Sequence, residues 1–175
     1  ELEEAFHYMR TVKAGIFMFN ETHGDDRNPE ARKILRESKK RIWGDQNSFS
    51  AITTSSSDSA VAGFCKPGGN MVGINGKLCG RIREKINDEY GRWCGYSLAG
   101  KDGRELLILT AYNVSQEIAA GDDTLYSQQK SQYLREYNDN GMKTEKEAYI
   151  DHKKRFVKDL RSLLQKAIDR QSDII

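Results

Sequence analysis

The sequence predicts a mixed α/β fold, on three observations. A helical apolar pattern runs into the short continuous apolar run Ile16-Phe17-Met18-Phe19. Two strand-like runs flank Lys101-Asp102-Gly103, and Asp-Gly between such runs is a strong hairpin signal. A long amphipathic pattern from Phe156 to Ile168 then runs into Asp173-Ile174-Ile175. The 175 residues fit one domain, 1–175. With 37% hydrophobic and 31% charged residues the chain is neither disordered nor collagen-like. Its 28 Lys and Arg nearly cancel 26 Asp and Glu, so the net charge of +2 does not by itself point to nucleic acid or to an anionic membrane.

Leu2, Ala5, Phe6, Met9 and Val12 recur at helical spacing, which predicts a helix over 2–14 with Gly15 as its left-handed cap. Ile16 to Phe19 reads as a strand buried on both faces. Asn28 as cap, Pro29 at the first helical position and Glu30 in the first turn open a helix to about Arg41, with Ala31, Ile34 and Leu35 facing inward. Phe49 to Thr54 alternates weakly and ends in Ser55-Ser56-Ser57-Asp58-Ser59, a polar surface loop. Lys66-Pro67-Gly68-Gly69 reads as a turn before a glycine-rich strand from Asn70 to Ile74, and Leu78 to Ile82 as another short strand.

The hairpin spans Gly91 to Asn113, with Arg92–Leu98 and Glu105–Tyr112 as its arms. Asp122 or Asp123 caps a helix from Thr124 to about Tyr137, carrying Leu125, Gln128, Gln129, Tyr133 and Leu134 along one side. Thr144 and Glu147 have capping-box spacing before the last helix, whose apolar stripe runs through Tyr149, Phe156, Val157, Leu160, Leu163, Leu164, Ala167 and Ile168. Asp173-Ile174-Ile175 reads as the opening of a buried strand.

Cys65, Cys79 and Cys94 are odd in number and lack the short paired spacing of a zinc or redox motif. They read as free thiols of an intracellular protein, nuclear or cytoplasmic, with no disulfide-linked partner. No stretch approaches the roughly 18 to 20 apolar residues of a membrane span, so no membrane partner is expected. The opening Glu1-Leu2-Glu3-Glu4 has no Met and no leader pattern, and is expected to lie inside a longer protein.

For chemistry the first place to look is Asn20-Glu21-Thr22-His23-Gly24-Asp25-Asp26, at the carboxyl end of the first strand. A rigid element delivers the Glu21 carboxylate to a loop, and Mg²⁺ is often held by one or two carboxylates plus substrate phosphates. The plainer alternatives are a solvated loop carboxylate at Glu21, a surface imidazole at His23 and solvated turn acids at Asp25 and Asp26.

The strand followed by Asn20-Glu21-Thr22-His23 resembles the Gln-Glu-Thr-His or Gln-Glu-Thr-Lys motif of the endonuclease/exonuclease/phosphatase superfamily, especially the endonuclease domains of non-LTR retroelements, with Asn20 in place of the usual Gln. Gly68-Gly69 stands before the next strand as in that family. Leu106 to Tyr112 is similar to the strand ending in Val-Tyr-Ala-Pro, although Ala111-Tyr112-Asn113-Val114 lacks the proline. The helix from Phe156 to Ile168 stands where the family has the approach to its Gly-Asp-Phe-Asn strand.

The resemblance implies a four-layer α/β sandwich of the nuclease superfamily, incomplete and represented here by its N-terminal part. It implies Mg²⁺- or Mn²⁺-dependent phosphodiester hydrolysis, with DNA the preferred substrate. Residue by residue it implies that Glu21 binds the metal and Tyr112 contacts the scissile phosphate, with His23 and Asn113 on the substrate side. The family's early Asn, its Gly-Asp-Phe-Asn and its final Ser-Asp-His have no counterpart within these residues, so this stretch alone is expected to be a poor nuclease. The rival expectations are a non-catalytic nucleic-acid-binding or interaction domain on the same scaffold, and an unrelated α/β module.

Asp151-His152 imitates the family's terminal Asp-His pair but comes too early, at the start of a charged helix. Trp43, Trp93, Tyr96 and Tyr90 read as core and cross-strand packing before they read as base-stacking platforms. Arg81, Arg83, Lys85, Arg92 and Lys101 cluster around the hairpin as possible phosphate contacts, diluted by Glu84, Asp88 and Glu89.

Overall fold

The computed structural model describes residues 1–44, 50–58, 66–114, 124–139 and 151–175. The mixed α/β class is as expected. Helix α1 (Leu2–Thr11) leads to strand β1 (Ile16–Asn20), helix α2 (Pro29–Trp43) and strands β2 (Ser50–Ser55) and β3 (Asn70–Asn75). A 3₁₀ segment (Gly76–Arg81) precedes strands β4 (Ile82–Asn87), β5 (Trp93–Ala99) and β6 (Glu105–Ala111). Helices α3 (Leu125–Asp139) and α4 (His152–Asp169) and the short strand β7 (Asp173–Ile174) follow.

Among the described residues the strands form two sheets, β1-β3-β2, wholly antiparallel, and β4-β5-β6-β7, in which only the β6–β7 pairing is parallel. Between them lies a core of Val72, Ile74, Cys94, Tyr96, Leu98 and Ile108, each large side chain contributing about 1.5–3 kcal/mol on burial. The neighbouring residue Met71 points the other way, as strand alternation requires, into a second cluster with Phe6, Phe17, Ile42 and Trp43 under α1 and α2. Phe17 and Trp43 stack 5.9 Å apart with their planes 7° from parallel. Gly73 is paired opposite Phe17, and a Cβ on it would lie 1.9 Å from the ring. The glycine in this strand makes room for that ring. Behind the second sheet, Phe156 of α4 meets Trp93 edge-on at 5.8 Å, while α3 lies over the loops at one end, with Tyr133 against Tyr90 at 4.7 Å.

Several boundaries differ from expectation. Helix α1 ends at Thr11, and Lys13 with φ 53° takes the left-handed position expected of Gly15. The amides of Lys13 and Ala14 bond back to the Arg10 and Met9 carbonyls, closing the helix two residues earlier than the glycine would. Strand β1 is an antiparallel edge strand in which only Phe17 is fully buried. The strand expected over Leu78–Ile82 is a 3₁₀ turn, with β4 starting at Ile82. Ile34 faces solvent, and α2 buries Ser38, Ile42 and Trp43 instead. Ser55, Ser56 and Ser57 are buried beneath α3 and the β4–β5 turn and are not a surface loop. Val157 and Ile168 lie outside the buried stripe of α4, and Ile174 and Ile175 are exposed. Phe49, Cys65, Asp122, Asp123, Thr144, Glu147 and Tyr149 lie outside the described residues.

The hairpin is as expected. Trp93 pairs with Ala111 at one end and Ala99 with Glu105 at the other. Asp102 and Gly103 turn the chain at φ 56° and 78°, the conformation for which Asp-Gly is suited. Asn28 caps α2 by accepting from the Glu30 and Ala31 amides. Trp43, Tyr90, Trp93 and Tyr96 are all buried, the packing role expected of them.

Candidate functional site

The carboxyl end of β1, the start of β3, the β4–β5 turn and the end of β6 meet at one rim of the two sheets. Asn20 Oδ1 accepts from Thr110 Oγ1 at 2.6 Å, tying β1 of one sheet to β6 of the other. The chain then turns through Glu21 and His23 at φ 54° and 52°. Left-handed backbone costs a non-glycine residue about 1–2 kcal/mol, so the loop persists because its neighbours hold it. The Thr22 and His23 amides donate to the Gly69 and Gly68 carbonyls at 3.2 and 2.9 Å. A Cβ on Gly69 would lie 2.5 Å from Thr22 Oγ1, so the second glycine of the pair is needed for this approach.

A second support stands behind the loop. The fully buried Asn70 donates from Nδ2 to the Gly91 carbonyl at 2.8 Å, and the Tyr112 amide donates to the Arg92 carbonyl at 2.8 Å. Tyr112 is thereby brought to Glu21, and its Oη donates to Glu21 Oε1 at 2.5 Å across 91 residues of sequence. The hydrogen bond to Glu21, with burial and the carboxylate charge adding to it, raises the Tyr112 pKa. At neutral pH Tyr112 is a neutral donor.

Of the residues singled out in the sequence, Glu21 and Tyr112 are in direct contact. His23 and Asn113 are exposed near them in the chain. Asp25 and Asp26 face elsewhere. Asp25 accepts from Arg27, and Asp26 from Ser56 Oγ at 2.5 Å. Burial raises the Asp25 pKa, but the Arg27 hydrogen bonds and charge outweigh that and hold it below its usual value. Arg27 also reaches Asp58 at 2.8 Å, pinning this loop to the end of the β2 segment.

One exposed carboxylate with a phenol donor beside it suits one ligand position of a hydrated Mg²⁺ or Mn²⁺, which prefers oxygen ligands and keeps several waters. Among the described residues no three His, Cys, Asp or Glu side chains converge to hold a metal ion. The residues present therefore fit such an ion through Glu21 alone.

The other candidates have local roles. Asp151 caps α4 by accepting from the Lys154 amide, and His152 is buried with its ring stacked 4.2 Å from Tyr126. Cys79 and Cys94 are free thiols, and burial pushes Cys94 up to about 12, which leaves it inert. Arg81, Arg83, Lys85 and Lys101 are exposed, but Arg92 is 3% exposed and serves Asp88 and Asp159 rather than solvent. No helix among the described residues is long and apolar enough to cross a membrane.

Sequence reasoning missed the supports: Thr110, Asn70, Arg27 and the buried Lys66, whose ammonium is pushed down by burial and by Arg27 nearby. Lys66-Pro67-Gly68-Gly69 carried the one usable signal, two glycines next to a strand. No protein-family model matches the chain, and no curated protein matches it.

Proposed function

We propose that these residues form part of a phosphodiester-hydrolysing site of the endonuclease/exonuclease/phosphatase kind, on the four-layer α/β sandwich of that superfamily, and that the complete protein cleaves DNA with Mg²⁺ or Mn²⁺. The observation that supports it is the Glu21–Tyr112 hydrogen bond. Glu21 and Tyr112 belong to separate motifs 91 positions apart, and the fold brings their side chains into contact.

On this reading Glu21 holds the divalent ion. When bound, the ion supplies positive charge to the phosphate and leaving oxygen. Tyr112 Oη, a neutral donor, turns from Glu21 to a non-bridging phosphate oxygen and stabilises charge there. His23 and Asn113 face the substrate backbone. Water activation requires a base beyond this pair, so the 175 residues by themselves are weakly active or inactive. The second reading, a nucleic-acid-binding or interaction domain without chemistry, draws on the lack of a three-ligand cluster among the described residues.

Titration with Mg²⁺ and with Mn²⁺, followed by amide NMR shifts and Mn²⁺ line broadening, tests the assignment. We expect perturbation centred on Glu21 and Tyr112, lost in Glu21→Ala and retained in Tyr112→Phe. Metal affinity unchanged in Glu21→Ala would remove Glu21 from the site.

A further inference from the structure

We infer that a nucleic-acid backbone leaves the Glu21–Tyr112 rim over the outer face of α4, on Lys154, Lys158 and Arg161 with Lys153 beside them, and that the flank under α3 turns it away. The inference rests on the reading of the substrate as nucleic acid.

Lys154, Lys158 and Arg161 are spaced i, i+4, i+7, which puts them on one side of the helix. All are exposed, and with Lys153 and the half-exposed Val157 they line an open hollow of about 420 Å³. Asp159 is turned inward, accepting from Arg92 at 2.8 Å, so it does not offset the outer cations, while Asp151 at the helix cap lies 3.4 Å from the Lys154 ammonium and offsets part of its charge. Arg155 is likewise engaged, with Glu136 at 2.6 Å. On balance the outward face is positive, with Lys158 and Arg161 at its centre and Val157 as an apolar side chain that can lie against sugar.

Position ties this face to the rim. Phe156 packs on Trp93, and Asp159 holds Arg92, whose carbonyl receives the Tyr112 amide. The first turns of α4 therefore stand behind the strand ends that present Tyr112. The edge made by β2, β4 and α3 has the opposite character. Its cleft of about 740 Å³ is lined by Asp26, Asp58, Glu89 and Asp139 against Arg27 and Arg135, and by Asp88 and Glu136, which are paired with Arg92 and Arg155. Phosphates are repelled there and attracted over α4, an asymmetry hidden in the net charge of +2.

The experiment is fluorescence anisotropy of the full chain with a labelled DNA duplex over a series of NaCl concentrations. Comparison is with the variant K154E/K158E/R161E, checked by circular dichroism, and with Glu89→Gln/Asp139→Asn. Each phosphate contact contributes about 0.9 to the slope of log affinity against log salt. We expect the charge-reversed variant to bind at least tenfold more weakly with a slope reduced by about two to three, and the neutralised acidic flank to bind more tightly. Unchanged affinity and slope in the charge-reversed variant would overturn the path over α4 and leave the Glu21–Tyr112 reading standing. Absence of duplex binding by the unaltered chain at low salt would overturn both. Binding of the unaltered chain to phosphatidylserine vesicles in preference to DNA, lost in K154E/K158E/R161E, would overturn the choice of partner.

Discussion

Arg92 and Glu21 stand at the same end of the two sheets, each linking segments far apart in sequence. All three guanidinium nitrogens of Arg92 donate to carboxylates, two to Asp88 and one to Asp159, and its Cζ lies 4.7 Å from the centre of the Tyr90 ring and 4.3 Å from that of Trp93. Among the described residues the Glu21 carboxylate has one donor, Tyr112, and its backbone is left-handed and exposed. Burial lowers the Arg92 pKa, but the Asp88 hydrogen bonds and charge outweigh this and raise it, so the cation is permanent. The contrast separates two uses of charge. A saturated, dry cluster has no valence left for a ligand, whereas a strained, open carboxylate has.

The largest effect that sharpens this comparison is on stability. Arg92→Met leaves Asp88, 6% exposed, without its cation. Removing one partner of a buried pair costs about 3–5 kcal/mol, so urea denaturation should show a loss of that order, with much of it recovered in Arg92→Met/Asp88→Leu. A loss under about 1 kcal/mol would mean that the cluster is not holding α4 and the β4–β5 turn together.

A smaller effect is expected at Glu21, and of the other sign. Glu21→Gly and Glu21→Ala both delete the carboxylate, so their difference isolates the backbone at φ 54°. Glycine relieves about 1 kcal/mol of left-handed strain that alanine retains. Thermal denaturation should therefore rank the Gly variant above the Ala variant by about that amount, while neither binds Mn²⁺. Equal stability of the two would show that the loop relaxes and that no strain is held at the rim.

The strand-end positions of Glu21 and Tyr112 were legible from the conspicuous apolar runs Ile16–Phe19 and Leu106–Leu109, while their choice as site residues came from the resemblance. The hairpin and the Asn28 cap were legible for a similar reason, since Asp-Gly and Asn-Pro-Glu encode local backbone geometry. Contacts across the fold were not. Arg92 has two acids, two rings and the Tyr133 hydroxyl as partners; Asp88, Tyr90 and Trp93 are near it in sequence, whereas Tyr133 and Asp159 are 41 and 67 residues away. From the sequence it looked like one more surface cation. Ser56 and Ser57 show the same limit, because a serine tract reads as exposed until α3 is known to cover it. The sheet order escaped as well: an apolar run of four residues cannot distinguish a central strand from an edge strand covered by two helices.

His152 gives the smallest expected effect and tests whether the α3–α4 junction is as dry as the Arg92 cluster beside it. Its ring is buried against Tyr126 and Tyr133, and Nδ1 has no hydrogen-bond partner among the described residues. Burial lowers its pKa, Lys130 and Arg155 lower it further, and Asp151 opposes them. In the unfolded chain a histidine takes up a proton near pH 6.5. The folded chain resists that proton, so below about pH 6.5 the unfolded state binds more protons and stability falls as pH falls toward the folded pKa. Above 6.5 the contribution is complete. Urea midpoints measured from pH 7.5 to 5.5 should drop in the unaltered chain and drop less steeply in His152→Phe, which keeps the stacking and loses the titration. Parallel curves for the two proteins would mean that His152 is solvated in both states, and that water reaches the junction which Arg92 and Asp159 close on one side.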